Sequence, residues 1–295
     1  MTTEQTSKVL AALSAARQNF SGSDAKFATS LGISAAQYSR IKNGDTENVV
    51  SEQKWISLAR QLGVNLTNKP EWKTANTPVF QFITAQLEAC QQGSMSAMLC
   101  DRSDIGKTYT AQHYVRNHKN AVYIDCSQVK TRQKLIRTIA KSFGVGSTGR
   151  FADVYEDLVY YLKVLPTPLI ILDEAGDLQY EAFLEIKALW NATDMVCGYY
   201  MMGADGLKAK IQRAIDNKKV GYAEIFSRFG RRFGNVIPFV EDDRQKMTQA
   251  CAAMIIKANA TEGTDVNKVL RQTMGDDRLP SLRRIYKELS KQQML

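Results

Sequence analysis

The chain has 295 residues, of which 44% are hydrophobic, and this composition excludes a disordered chain and leaves room for two or three domains. No apolar run approaches the roughly 20 residues needed to cross a bilayer, and the first residues lack the apolar centre of a signal peptide, which predicts a cytoplasmic protein. The five cysteines show no C-x-x-C spacing, which favours buried free thiols over a metal or redox site.

The net charge of +9 is concentrated in one part of the chain. Residues 206–232 contain eight Lys and Arg side chains and only two acidic ones. This density of positive charge indicates a polyanionic partner. A solvated basic face is the alternative interpretation.

Residues 1–66 are predicted to form a small all-α domain. Within residues 24–45, apolar side chains recur at helical spacing on either side of Gly32, and serines precede the two helices as N-caps. This segment resembles the helix-turn-helix of phage-repressor DNA-binding domains, in which the second helix, here 34–42, enters the major groove. The resemblance implies that the side chains facing DNA include Gln37, Tyr38 and Arg40. A helix pair used only for protein contact is the alternative.

Residues 67–78 contain two prolines and two asparagines and are predicted to be a linker. After a helix at 79–91, predicted strands at 95–100, 121–126, 168–172, 196–202 and 235–240 alternate with predicted helices at 106–117, 130–143, 151–164, 178–192 and 206–216. The alternation predicts a parallel sheet covered by helices. From residue 242 the pattern is purely helical, at 242–260, 264–273 and 279–292, which predicts a helical lid.

The first of these strands leads into a predicted phosphate-binding loop, residues 101–108. Loop N–H groups and a helix N-terminus attract phosphate, Lys107 can reach the β- and γ-phosphates, and the Thr108 hydroxyl can bind Mg²⁺. The candidate ATP-binding residues are Asp104, Ile105, Gly106, Lys107, Thr108 and Tyr109. Asp101 stands where the motif has glycine. The carboxylates of Asp101 and Asp104 would weaken phosphate binding unless both point away from it.

A second motif follows the predicted strand 168–172. Its uninterrupted apolar run is typical of a strand buried on both faces, and it ends in Asp173 and Glu174. Asp173 is expected to hold the water shell of Mg²⁺, and Glu174 is expected to polarise the water that attacks ATP. The two motifs, in this order and about 65 residues apart, predict a P-loop NTPase.

The strand order, the helical lid and an arginine near each end of that lid resemble AAA+ ATPases. With its N-terminal helix-turn-helix, the chain is similar to the family of AAA+ transposition regulators that includes the transposition protein B of phage Mu. The resemblance implies an α/β P-loop fold with a parallel sheet at 79–240 and a helical lid at 241–295.

The same resemblance implies roles for individual arginines. Arg228 would be an arginine finger that acts on the nucleotide of a neighbouring protomer, with Arg231 and Arg232 as alternatives. A surface or DNA-facing arginine is the alternative for Arg228. Arg283 would reach the phosphates from the lid, and a solvent-facing arginine is the alternative there. The strand at 196–202 should be followed by a polar sensor residue, and Asp205 is a poor candidate, so slow hydrolysis is expected.

The family resemblance also implies a homo-oligomer or helical filament on double-stranded DNA, with a transposase as partner. Repeated, sequence-tolerant phosphate contacts favour basic segments at the carboxyl ends of parallel strands. The candidate DNA-binding residues are Lys130, Thr131, Arg132 and Lys134 in one segment and Lys208, Lys210 and Arg213 in another. For the first segment, an ordinary helix start with exposed cations is the alternative. A helicase loader or replication initiator, and a nucleotide-sensing transcriptional regulator, remain alternative functions.

Overall fold

A computed structural model describes residues 1–66 and 72–292. Residues 67–71 of the predicted linker lie outside the described residues, as do residues 293–295. The N-terminal helical domain, residues 1–66, contains α1 (Thr3–Gln18), α2 (Asp24–Leu31), α3 (Ala35–Lys42) and α4 (Glu52–Gln61). Ser23, Ser34 and Ser51 cap α2, α3 and α4, because each hydroxyl accepts a backbone N–H of the first turn. Gly32 ends α2 in the left-handed conformation, which lets the chain turn into α3.

The central sheet contains β1 (Ser96–Cys100), β2 (Ala121–Asp125), β3 (Leu169–Asp173) and β4 (Gly198–Gly203). The four strands are parallel and lie in the order β1-β4-β3-β2. Every residue of β3 and β4 is buried, which explains their continuous apolar sequence. The carboxyl ends of all four strands therefore meet at one edge of the sheet.

The predicted strand at 235–240 is wrong. Beside β1 the structure has an isolated bridge between Leu99 and Gly234, and the chain then leaves the sheet. Pro238 has no N–H for a ladder, and the Asp101 carboxylate accepts the N–H groups of Val236 and Ile237 at 2.6 and 2.9 Å. The Asp101 side chain therefore binds backbone N–H groups that would otherwise be available to pair with a neighbouring strand.

Helices cover both faces of the sheet. They are α5 (Pro78–Gln92), α6 (Lys107–Asn117), α7 (Arg132–Ser142), α8 (Phe151–Val164), α9 (Tyr180–Ala192), α10 (Asp205–Asp216) and α11 (Tyr222–Arg228). The larger apolar core lies between the sheet and α7 to α11, and the second lies between the sheet and α5 and α6. The sequence pattern does not predict α11. The five cysteines are free and buried, as predicted.

The C-terminal lid contains α12 (Glu241–Asn259), α13 (Val266–Gln272) and α14 (Leu282–Gln292) around a small core of its own. The described part of the predicted linker lies against this lid. The rings of Trp72 and Tyr286 are 5.1 Å apart, and the Lys73 N–H donates to Asn259 Oδ1 at 2.7 Å. None of the described helices combines the length and apolarity that a membrane span needs.

The N-terminal helical domain packs on the ends of α6 and α7. The Asn19 side chain donates to the Arg116 carbonyl at 2.8 Å, and a Cβ on Gly144 would lie 2.3 Å from the Lys26 carbonyl oxygen. Because α6 begins at the phosphate-binding loop and its 11 residues span about 16 Å, this contact lies at the opposite edge of the sheet from that loop.

Candidate nucleotide site

The phosphate-binding loop connects β1 to α6 at the carboxyl edge of the sheet. Gly106 precedes α6 with a φ of 97°, a conformation that favours glycine, and no side chain caps the helix. The Lys107 ammonium donates to the carbonyls of Asp101 and Arg102 at 2.8 and 2.5 Å. Burial lowers the pKa of Lys107. The loop therefore holds a buried cation beside free helix N–H groups, which suits a polyphosphate.

The two aspartates of the loop turn away from its interior. Asp101 is buried and accepts the backbone N–H groups of Arg102, Val236 and Ile237. Asp104, with a φ of 62°, accepts the Ser281 hydroxyl at 2.8 Å. Both carboxylates thus point away from the place where phosphate would bind, as phosphate binding requires. The backbone of Asp101 does not need the conformational freedom of glycine.

These same aspartates tie the loop to the two ends of the lid. Asp101 holds the segment that leads into α12, and Asp104 holds the residue that precedes α14. Arg102 and Asp277 form an ion pair at 2.8 Å beside them. The Arg283 guanidinium lies 3.9 Å from Asp104 and is 85% exposed, so it is free to turn toward a phosphate.

Asp173 ends β3 and Glu174 follows it, and β4 lies between β3 and the strand that leads into the loop. The Thr108 hydroxyl donates to Asp173 Oδ2 at 2.6 Å, so the predicted Mg²⁺ ligands adjoin each other. This oxygen-donor set fits a hard divalent cation. Glu174 is exposed and has a φ of 49°. Partial burial, followed by the neighbouring Asp173 carboxylate, raises the pKa of Glu174, which makes it a stronger base.

A cavity of about 270 Å³ lies between the loop and the lid. Its apolar lining comes from Val79, Ile105, Ile237, Cys251, Leu279 and Leu282. Its size and composition suit the base of a nucleotide. Sequence patterns identify Ile105 alone among these, because the others come from segments distant along the chain. Tyr109 lies outside this lining and hydrogen-bonds Thr74 at 2.6 Å.

Comparisons with known proteins agree with this geometry. A family model described as an AAA domain matches residues 90–211. The α/β unit formed by β1 to β4 and α5 to α11, which contains this matched segment, is termed the AAA domain. It is 22% identical over 260 residues to the Mu-like prophage FluMu DNA transposition protein B of Haemophilus influenzae, covering 86% of this chain and 88% of that protein. The predicted α/β P-loop fold and the resemblance to AAA+ proteins of this type are confirmed.

A structure of the Aeropyrum pernix ORC1 protein in complex with DNA is also similar, with a TM-score of 0.45 and 15% identity. The similar region covers 76% of this chain and 66% of that chain.

Arg228 lies at the end of the AAA domain that is remote from its own phosphate-binding loop. Its guanidinium donates to Asn191 Oδ1 at 2.8 Å and lies 5.2 Å from the centre of the Trp190 ring. Trp190 in turn donates to Ser96, the first residue of β1. The loop follows the last residue of that strand, and five residues span roughly 16 Å. These contacts direct the Arg228 guanidinium at Asn191 and Trp190, beside the start of β1, and not at the phosphate-binding loop of its own chain.

The predicted DNA-binding segments begin at the carboxyl edge of the sheet, beside the nucleotide site. Lys130, Thr131, Arg132, Lys134, Lys208 and Arg213 are exposed. Thr131 caps α7, and Arg132 lies 3.7 Å from Glu185 and stacks on Phe151. Arg231 and Arg232 are exposed beyond α11.

Lys210 differs from the other cations of this edge because its ammonium already has main-chain acceptors. It donates to the Gly176 and Leu178 carbonyls at 2.7 and 2.5 Å, which fixes the turn after Glu174. Burial lowers the pKa of Lys210. A contact with DNA at this position stays a prediction, and it would require the side chain to exchange these acceptors for phosphate.

The predicted reading helix α3 also needs correction. Tyr38 is 2% exposed and packs edge-on against Phe27, so it belongs to the core and cannot contact bases. Gln37 accepts the Ser34 N–H and donates to the Val49 carbonyl, which commits its amide to a capping box. Arg40 is exposed and paired with Asp45 at 2.8 Å. The resemblance to a helix-turn-helix located the helix, but it placed one buried side chain, Tyr38, on the outer face, whereas Gln37 is partly exposed.

Proposed function

We propose that this protein is a DNA-binding AAA+ ATPase that assembles on target DNA when ATP is bound and delivers that DNA to a transposase. The observation that carries the proposal is the contact between Thr108 and Asp173, which joins the two nucleotide-binding motifs in one site. The transposition role is supported by similarity over 260 residues to a protein named as a DNA transposition protein B.

ATP would bind with its base in the cavity under the lid and its phosphates in the loop. The Lys107 ammonium exchanges its two carbonyl acceptors for β- and γ-phosphate oxygens. Thr108 and Asp173 would hold Mg²⁺, which supplies positive charge against the phosphate oxygens. Arg283, already beside the loop, turns from Asp104 toward the phosphates.

Glu174 serves as the general base of hydrolysis. The water oxygen bonds to the γ-phosphorus, a water proton moves to the Glu174 carboxylate, and the bond to the β-phosphate oxygen breaks, so ADP and phosphate leave. Charge on the γ-phosphate oxygens is stabilised by Lys107 and by Arg228 of a neighbouring protomer. Assembly therefore completes the active site, and hydrolysis depends on it.

DNA would lie along the carboxyl edge of the sheet, where it meets the exposed cations of two helices. Lys130 and Lys134 flank the start of α7, and Lys208 and Arg213 lie on α10. Contacts from flexible cations to phosphate are tolerant of sequence and are weakened by salt. The protein is therefore expected to assemble on duplexes of unrelated sequence.

Electron microscopy and sedimentation with random-sequence duplex DNA test the proposal. Wild-type protein is expected to assemble with ATP and not with ADP, Lys107→Ala to fail with either, and ATP-bound protein to stimulate strand transfer by its cognate transposase. Assembly confined to single-stranded DNA would instead favour a helicase loader. Tight binding of a single operator sequence by residues 1–66 would favour a transcriptional regulator.

The location of DNA is tested by the salt dependence of assembly. Replacing Lys130 and Lys208 with alanine should lower the slope of log affinity against log salt by about 0.9 for each lost phosphate contact. The matched control replaces Lys119 and Lys163, which are exposed and precede β2 and β3 at the opposite edge. A change of slope in the control alone would place DNA on that opposite edge.

A further inference from the structure

The Asp173 carboxylate is held by more donors than the two nucleotide-binding motifs supply. Its Oδ2 accepts the Thr108 hydroxyl at 2.6 Å and the Tyr123 hydroxyl at 2.8 Å, while its Oδ1 accepts the Glu174 N–H at 2.9 Å. Asp173 is 1% exposed. A buried carboxylate with three donors is fixed in orientation, and Tyr123 is the donor that neither motif accounts for.

Tyr123 is itself rigidly placed. It lies in the middle of β2, on the face of the sheet that α5 and α6 cover, and pairs in register with Ile171 of β3. Its hydroxyl donates to Asp173 Oδ2, and Thr108 of α6 donates to the same oxygen, so these bonds join α6 and β2 at the end of β3.

We propose that Tyr123 is a positioning residue of the nucleotide site, whose hydroxyl fixes the Asp173 carboxylate in the orientation that binds the Mg²⁺ of MgATP. The inference rests on the proposed ATPase function. Oδ2 is the oxygen that Thr108 and Tyr123 share, so losing the phenol frees the carboxylate to rotate toward Thr108 alone. Hydrogen bonds that orient a metal-binding carboxylate contribute to metal affinity, and their loss typically costs 10–100-fold.

The test compares Tyr123→Phe with Tyr200→Phe in the full chain. Tyr200 is a matched control, because it lies in the same row of the sheet on β4, is buried, and donates its hydroxyl to Gln86 at 2.8 Å, away from Asp173. Binding of a fluorescent ATP analogue is measured in EDTA and during a Mg²⁺ titration. Tyr123→Phe should raise the half-saturating Mg²⁺ concentration about tenfold. Both variants should bind the analogue in EDTA like wild type.

The outcomes separate this inference from the proposed function. An unchanged Mg²⁺ requirement in Tyr123→Phe, or an equal increase in Tyr200→Phe, would overturn the positioning role. Weaker binding of Tyr123→Phe in EDTA, in step with its binding in Mg²⁺, would show a structural role only and would also overturn it. Failure of wild-type protein to bind the analogue would instead refute the ATPase proposal.

Discussion

At the scale of single residues, the site depends on where a few charges are directed. Asp101 and Asp104 look incompatible with phosphate in the sequence, yet their carboxylates face the segment that leads into the lid and the residue before its last helix. Lys210 looks suited to DNA, yet its ammonium binds two carbonyls. Residue type and spacing do not determine the direction in which a side chain points, because rotation about one or two of its torsions decides which partner it reaches.

Glu174 gives a prediction about pH. Its pKa lies above the ordinary value of 4.5, and a general base must be deprotonated, so hydrolysis should be lost as the pH falls through this raised pKa. The acid limb of the kcat profile should therefore lie above pH 4.5. Glu174→Gln should bind ATP and hydrolyse it about 10²–10⁴-fold more slowly.

Asp177→Asn provides the control for that profile. Asp177 is one of the charges that raise the pKa of Glu174, and its removal should move the acid limb to lower pH while hydrolysis continues. Hydrolysis by Glu174→Gln at the wild-type rate would show that another group is the base.

At the scale of elements, the close packing of α2 against the loop after α7 attaches the N-terminal helical domain to the AAA domain. A Cβ at Gly144 would lie 2.3 Å from the Lys26 carbonyl oxygen, and the Lys26 ammonium lies 3.9 Å from the centre of the Tyr161 ring. The Lys26 carbonyl belongs to the backbone of α2, so it cannot move aside as the end of a flexible side chain can. The contact therefore requires glycine.

Gly144→Ala should consequently loosen the N-terminal helical domain. Gly149→Ala is a matched control, because Gly149 also has positive φ, 93° against 72°, while its Cβ would meet nothing within 4 Å. Amide hydrogen exchange in α2 should be faster in Gly144→Ala than in Gly149→Ala, whereas exchange in β3 should be alike. Equal exchange in α2 would mean that the close contact does not hold the two domains together.

At the scale of the whole molecule, the proposed arginine finger would make a complete active site a property of the assembly, because Arg228 contacts Asn191 and Trp190 and not its own phosphate-binding loop. Arg228→Ala should bind ATP normally and lose DNA-stimulated hydrolysis, because no guanidinium reaches the γ-phosphate of the next protomer. Adding Glu174→Gln protomers, which keep Arg228, should restore hydrolysis at the mutant's intact sites.

The double variant Arg228→Ala/Glu174→Gln is the control for this mixing experiment, since it assembles in the same way but supplies no arginine. Restoration by the double variant would exclude Arg228 as the finger. The exposed Arg231 and Arg232 would then be tested in the same assay.

The sequence by itself determined the parts of this protein whose residues are neighbours along the chain. The phosphate-binding loop, the Asp173-Glu174 pair, the four buried strands and the lid helices follow from local patterns, since a strand or a helix start is specified by residues a few positions apart. The sequence also located α3 through its serine cap and the glycine before it.

Only the tertiary structure decided which distant groups meet. Packing between separate elements decides the hydrogen bond from Tyr123 to Asp173, the cavity between the phosphate-binding loop and the lid, and the inward direction of Tyr38. The predicted strand at 235–240 is wrong for the same reason, because the Asp101 carboxylate, 135 residues earlier, takes its backbone donors. Local sequence patterns specify whether a segment can form a strand or a helix. Competition among distant groups for the backbone hydrogen bonds of that segment decides which structure it adopts.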